Sequence, residues 1–393
     1  MKIALATCLT FLAALCSTTL FAQPVIPTTH PRVLLVGAEL QRLRDDLANN
    51  VPAATRFRSM VDGEVAGSTM VYAYQPWYSA MIGVIRGNSM FPQYCAHAVQ
   101  RTEAFVASEE ALINAGLRPT VAGDSYLEVG DFVGNVALVY DWCYDVLLAP
   151  QRTRWMNYAS RAVTNVWNPN TATWGGVSYP WTGFSIDDPG DNYYYSFLRA
   201  TMLYGIVTKY DRTDADGWLT HFRTTKIQNQ LVPIFERDNV GGGSREGTGY
   251  GTAMKNLFYL YYLWEKSTGD RIADLTSHTA ATMPYLLHSI APTRDRFAPI
   301  GDHARDETAT LYDYQREALL ALAKLYQGTP MARRVRADLA LSSVTQMADR
   351  FNYVFDYLYN ATDTGAAADL NTVYRGPGTG HMFARTSWAT NAT

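Results

Sequence analysis

The sequence predicts an all-α fold: one large body of helical hairpins followed by a short β-leaning tail. Three observations carry this. Apolar residues recur at helical spacing along most of the chain. Prolines stand where a first helical turn accepts them. The connections between periodic stretches are mostly short, which suits antiparallel neighbours. With 393 residues, 48% hydrophobic and 18% charged, the chain can bury a sizeable core and is too apolar for disorder.

In chain order, Lys2, an apolar run over 3–15 and Ala22 before Gln23 make an export signal over 1–22, too short to span a membrane. The expected location is periplasmic or secreted, with no membrane association once the signal is removed. Cys16 follows Leu15 rather than a small residue, which argues against a lipid anchor. The main domain covers 23–360. Helices are expected over 38–49, where Leu40, Leu43 and Leu47 share a face, then over 76–86, 92–114, 126–148 and, behind Pro150, 151–167. They continue over 192–210, 214–237, 252–268, 272–290, 308–327 and 331–360, the last as one helix or two. No strict repeat is present, yet helix pairs in such number curl into a solenoid or close into a ring. Two glycine-rich loops interrupt the pattern, 168–191 and 238–251. Loops of this kind on a rigid body are where sites sit. Over 361–393 glycine, proline and short β-leaning runs replace the helical period. A segment that short makes no stable sheet alone, so it pairs with the body or begins a further domain.

The net charge of −3 without a long basic run leaves no footprint for nucleic acid. The 26 Tyr and 9 Trp fit either sugar stacking or a large helical core. Cys95 and Cys143 remain after the signal, as a disulfide that export permits or as free buried thiols. No compact ligand cluster supports zinc or calcium, and no cofactor is expected.

Four stretches carry a resemblance: His30-Pro31-Arg32-Val33-Leu34-Leu35 with the helix after it; Tyr140-Asp141-Trp142 with Tyr144-Asp145; Ser244-Arg245-Glu246-Gly247-Thr248-Gly249-Tyr250-Gly251; and Arg385-Thr386-Ser387-Trp388. In this order they resemble the heparinase II/III and alginate lyase superfamily of polysaccharide lyases. The resemblance implies an incomplete (α/α) toroid of about six helical hairpins, with the tail as the start of a C-terminal β-sandwich. It also implies β-elimination on a uronate-containing polysaccharide, so the partner is an acidic polysaccharide or oligosaccharide. That chemistry needs a group to neutralise the C6 carboxylate, a base for the C5 proton and an acid for the leaving O4.

On that resemblance Asn192, which opens its helix, is the carboxylate neutraliser, with Asn192 or Asp191 equally placed to cap the helix. Tyr250 in the glycine-rich loop is the acid to O4 and the candidate base. Arg245 tunes Tyr250 or binds a substrate carboxylate, or else pairs with Glu246 or another acid. Glu246 and Tyr193 are further substrate-binding candidates. Tyr193 stands where many members have histidine, so the base is open, and His303 is the candidate for it from the body, with His381 in the tail behind it. Trp174, Tyr179 and Trp181 are candidates for sugar stacking or for loop packing, and Tyr140, Trp142 and Tyr144 for packing between helices. Two rival readings remain. A glycoside hydrolase on a similar barrel would draw its two carboxylates from Asp187, Asp188, Asp191 and Glu246. A catalytically incomplete toroid would bind carbohydrate only.

Overall fold

The computed structural model describes residues 24–301 and 309–393, and the expected signal peptide and His303 lie outside them. The described chain is all-α with two small antiparallel hairpins. Its helices are α1 (Gly37–Ala48), α2 (Pro52–Val65), α3 (Pro76–Arg86), α4 (Gln93–Asn114), α5 (Val129–Trp142), α6 (Ala149–Trp167) and α7 (Asn192–Thr208). There follow α8 (Ala215–Thr220), α9 (Val232–Asp238), α10 (Met254–Thr268), α11 (His278–Ser289), α12 (Asp313–Leu325), α13 (Pro330–Ala340) and α14 (Tyr353–Leu358). Prolines occupy the first turn of α2, α3, α6 and α13, where a missing N–H costs nothing.

Three differences from expectation have physical reasons. Helix α2 is an addition. Its core face includes Glu64, a charge that breaks the apolar pattern and is buried against Arg101 and the Val71 amide. The helix expected over 214–237 contains a π-helical stretch, His221–Leu231, between α8 and α9. The stretch 331–360 divides into α13 and α14.

Helix α5 packs against α3 and α7, α10 lies between α7 and α12, and α12 also meets α14. Helix α14 reaches α2, which returns to α3. In α7 every residue from Phe197 to Thr208 is buried, the charged Arg199 included. Helices α4 and α6 also pack on α5, and α11 and α13 on α12.

Both ends of the described chain are tied to this body. The Asp141 carboxylate of α5 accepts from Arg32 N with both oxygens at 2.9 Å and from Val33 N at 2.9 Å. His30 Nδ1 lies 2.5 Å from the same carboxylate, and its ring stacks on Tyr144 at 3.8 Å. The Trp142 indole donates to Val33 O. Two of the resembling stretches thus meet one another as a clasp, and Tyr140, Trp142 and Tyr144 pack as expected. Cys95 and Cys143 form a disulfide between α4 and the end of α5.

In the tail, β3 (Val373–Gly376) and β4 (His381–Ala384) form a hairpin on α11. Arg385 donates to three carbonyls at the end of α11, those of Leu287, His288 and Ile290, while lying over the Trp388 ring. The tail thus packs on the body through α11.

Candidate active site

Six helices turn their N-terminal ends toward one cleft of about 790 Å³. Trp77 and Tyr78 come from α3, Glu128 and Asp131 from α5, and Asn192, Ser196 and Arg199 from α7. Lys255 and Tyr259 come from the start of α10 and Tyr250 from the turn before it, Tyr312, Tyr314 and Glu317 from the start of α12, Phe355 from α14 and Phe351 from the turn before that helix. The partial positive charge at a helix N-terminus falls off within a turn, and here several such ends share one volume.

Asn192 and Tyr250 both line this cleft. Asp191 is the helix cap, its carboxylate accepting from Tyr193 N at 2.9 Å. The Asn192 side chain is turned elsewhere: Nδ2 donates to Glu246 Oε1 at 3.0 Å. Glu246 lies behind it, and its Oε2 is buried without a hydrogen-bond partner. Burial pushes the Glu246 carboxyl up to about 7. The Asn192 bond opposes that shift, while the charges of Asp191 and Asp188 add to it.

Linkage gives a testable sign. A carboxyl whose folded pKa is raised holds its proton in the native state, so its stability contribution is full below the ordinary value of 4.5 and is lost as pH rises through 7. Glu246→Gln, which carries no charge, should therefore match the parent at pH 5 and exceed it by about 2 kcal/mol at pH 8. Denaturant unfolding at the two pH values measures this, and an equal offset at both would refute it.

Tyr250 opens a short 3-10 turn, Tyr250–Ala253, and is 43% exposed. The glycines before it serve close packing. Gly247 has φ +81°, and a Cβ there would run into the Ile300 carbonyl. Thr248 N donates to Ile300 O at 2.8 Å, and Ile300 N donates back to Thr248 Oγ1 at 2.9 Å. Gly242 also lies close against the α11 backbone at Thr282.

Several expected site residues are placed otherwise. Arg245 pairs with Asp188 at 2.5 Å and Asp238 at 3.3 Å, the "another acid" alternative, rather than with Glu246. Tyr193 donates to Asp124 at 3.0 Å, and burial followed by that bond pushes its hydroxyl up to about 12, which makes it a donor and a poor base at neutral pH.

Trp174, Tyr179 and Trp181 pack on the body, the loop-packing alternative, with Trp174 buried and the other two half-buried. Asn165 of α6 holds this loop through Thr173 N, Thr173 O and the Trp181 indole, and the hairpin of β1 (Thr173–Trp174) and β2 (Val177–Ser178) folds it back. Trp174 is 2% exposed, and the Tyr179 hydroxyl donates to Gly116 O.

Asp187 pairs with Lys226, Asp188 with Arg245, and Asp191 caps α7, so these acids are engaged away from the cleft. His381 Nδ1 meets the Tyr285 hydroxyl at 2.6 Å in the tail hairpin. The cleft's own charged groups, Glu128, Asp131, Arg199, Lys255 and Glu317, escaped the sequence reading. The one available signal was Arg199 falling seven residues after Asn192, on the same helix face.

No protein-family model matches the chain, and no curated protein matches it. Among the described residues no helix is long and apolar enough to cross a membrane, and no group of three or more His, Cys, Asp or Glu could hold a metal ion.

Proposed function

We propose that the protein is an exported polysaccharide lyase that cleaves a uronate-containing polysaccharide by β-elimination on an incomplete (α/α) toroid. The observation that carries the reading is the convergence of Asn192 and Tyr250 on one large cleft, from elements far apart in sequence. The cyclic order of helix contacts, from α3 through α5, α7, α10, α12 and α14 to α2 and back, supports the toroid. The converging helix N-termini favour an anionic occupant, while Arg199 and Lys255 are paired with Asp131 and Glu317 on the same walls.

In this mechanism the C6 carboxylate of the sugar meets the second N–H of Asn192, whose first is fixed by Glu246. Glu246 is a positioning residue: with Oε2 buried it acts through Asn192. Hydrogen bonding to the carboxylate stabilises the enolate-like charge that forms as the C5 proton leaves. Tyr250 stands on the same cleft wall to take that proton as phenolate and deliver it to O4. The C5–H electron pair becomes the C4–C5 double bond, and the C4–O4 pair departs on the protonated oxygen. Where H5 and O4 lie on one face of the ring, a single tyrosine serves both steps.

The test is to incubate the full chain, after signal removal, with a panel of polyuronates and follow the ultraviolet absorbance of the unsaturated product. A rise with at least one substrate is expected. Reducing ends without unsaturated product would overturn the reading in favour of hydrolysis. No product of either kind would overturn it in favour of carbohydrate binding alone.

A further inference from the structure

Helix α7 presents Asn192, Ser196 and Arg199 to the cleft at i, i+4 and i+7, one face of one helix. Arg199 therefore lies two turns below Asn192, about 10.5 Å along the axis. It is 7% exposed. Its Nη1 donates to Asp131 Oδ1 at 2.7 Å, while its Nε is buried without an acceptor. Tyr259 of the adjacent α10 is 2% exposed, its ring centre is 5.2 Å from the Arg199 guanidinium carbon, and its hydroxyl is also buried without a partner. One turn earlier on α10, Lys255 lies 3.0 Å from Glu317 Oε2. Buried donors are normally satisfied. Here two stand side by side on a cleft wall, and both are suited to the same acceptor, an oxyanion.

We propose that Arg199 and Tyr259 form a second carboxylate subsite, which holds the acid group of a sugar neighbouring the one at Asn192. The inference rests on the lyase reading for the identity of the ligand as a sugar acid, and it narrows the substrate class. The chain cleaved carries carboxylates on closely spaced sugars, rather than an isolated uronate in a neutral polymer. Asp131 takes Nη1 and leaves Nε without an acceptor, while Lys255 and Glu317 form an ion pair alongside.

The experiment uses free glucuronate, which has no glycosidic bond to break, and its neutral methyl ester, titrated calorimetrically into the full chain carrying Asn192→Ala. That background removes the first carboxylate site. Glucuronate should bind and the ester should not. Adding Tyr259→Phe or Arg199→Lys should weaken glucuronate binding by about tenfold or more. Tyr259→Phe removes a hydroxyl without a partner, so the melting temperature should hold, and lost binding is then not lost folding. This keeps the test intact where Arg199→Lys perturbs its bond to Asp131. Equal binding of acid and ester, or undiminished binding in Tyr259→Phe, would overturn the subsite. The two readings fail separately. Unsaturated product from a polyuronate without glucuronate binding in Asn192→Ala sinks the subsite alone. Tyr259-dependent binding without product from any polyuronate sinks the lyase reading alone.

Discussion

Tyr250→Phe should lower the rate of unsaturated-product formation by about 10²–10⁴-fold, the range for a positioned acid–base group. The substitution removes one oxygen from a ring 43% exposed at the cleft, so the melting temperature should scarcely move. Asn192→Ala should cost about 10²–10³-fold, as loss of a donor to developing negative charge does. The two variants differ in a second readout. Removing the acid–base group leaves substrate affinity near that of the parent, whereas removing the carboxylate donor also weakens ground-state binding, so KM should rise mainly in Asn192→Ala. Full activity in Tyr250→Phe would transfer the proton chemistry to another group, with His303 next to be tested.

Asp141→Ala should be the most destabilising of the substitutions considered, by about 3–5 kcal/mol. Its carboxylate is the shared acceptor for the Arg32 and Val33 amides and the partner of His30 Nδ1. Alanine would leave those buried amides without an acceptor and His30 without its carboxylate. Asp141→Asn keeps one acceptor oxygen in place and should lose roughly half as much. The shift of the denaturant midpoint at constant slope measures both. Equal losses for Ala and Asn would mean that charge, rather than the amide bonds, holds the N-terminal segment.

The helices were legible because their apolar periodicity and first-turn prolines are local properties. The exceptions are instructive. In α2 a core position is filled by Glu64, whose partner Arg101 lies a helix away. Around Trp174 and Trp181 the sequence left stacking and packing open, and hydrogen bonds with one asparagine on α6 hold the loop against the body. Of the candidate site, Asn192 and Tyr250 were legible from their neighbours in sequence. Asp131, Arg199, Lys255 and Glu317 were not. A charge within a helix ordinarily marks a solvated face, and only the assembly of α5, α7, α10 and α12 turns these four toward one cleft. Glycines 242 and 247 were visible as a loop, but what they touch, the α11 backbone and the Ile300 carbonyl, was not.

The tail hairpin also grips the loop that carries Tyr250. The Tyr374 hydroxyl donates to Gly241 O at 2.9 Å and Gly378 N donates to Val240 O at 2.9 Å. These contacts join residues more than a hundred positions apart, and long closures are among the slower events of folding. During synthesis the helices through α10 emerge well before β3 and β4, so the loop is without its clamp until that hairpin has left the ribosome. The cleft would then be completed late, a built-in delay set by where its fastening lies along the sequence.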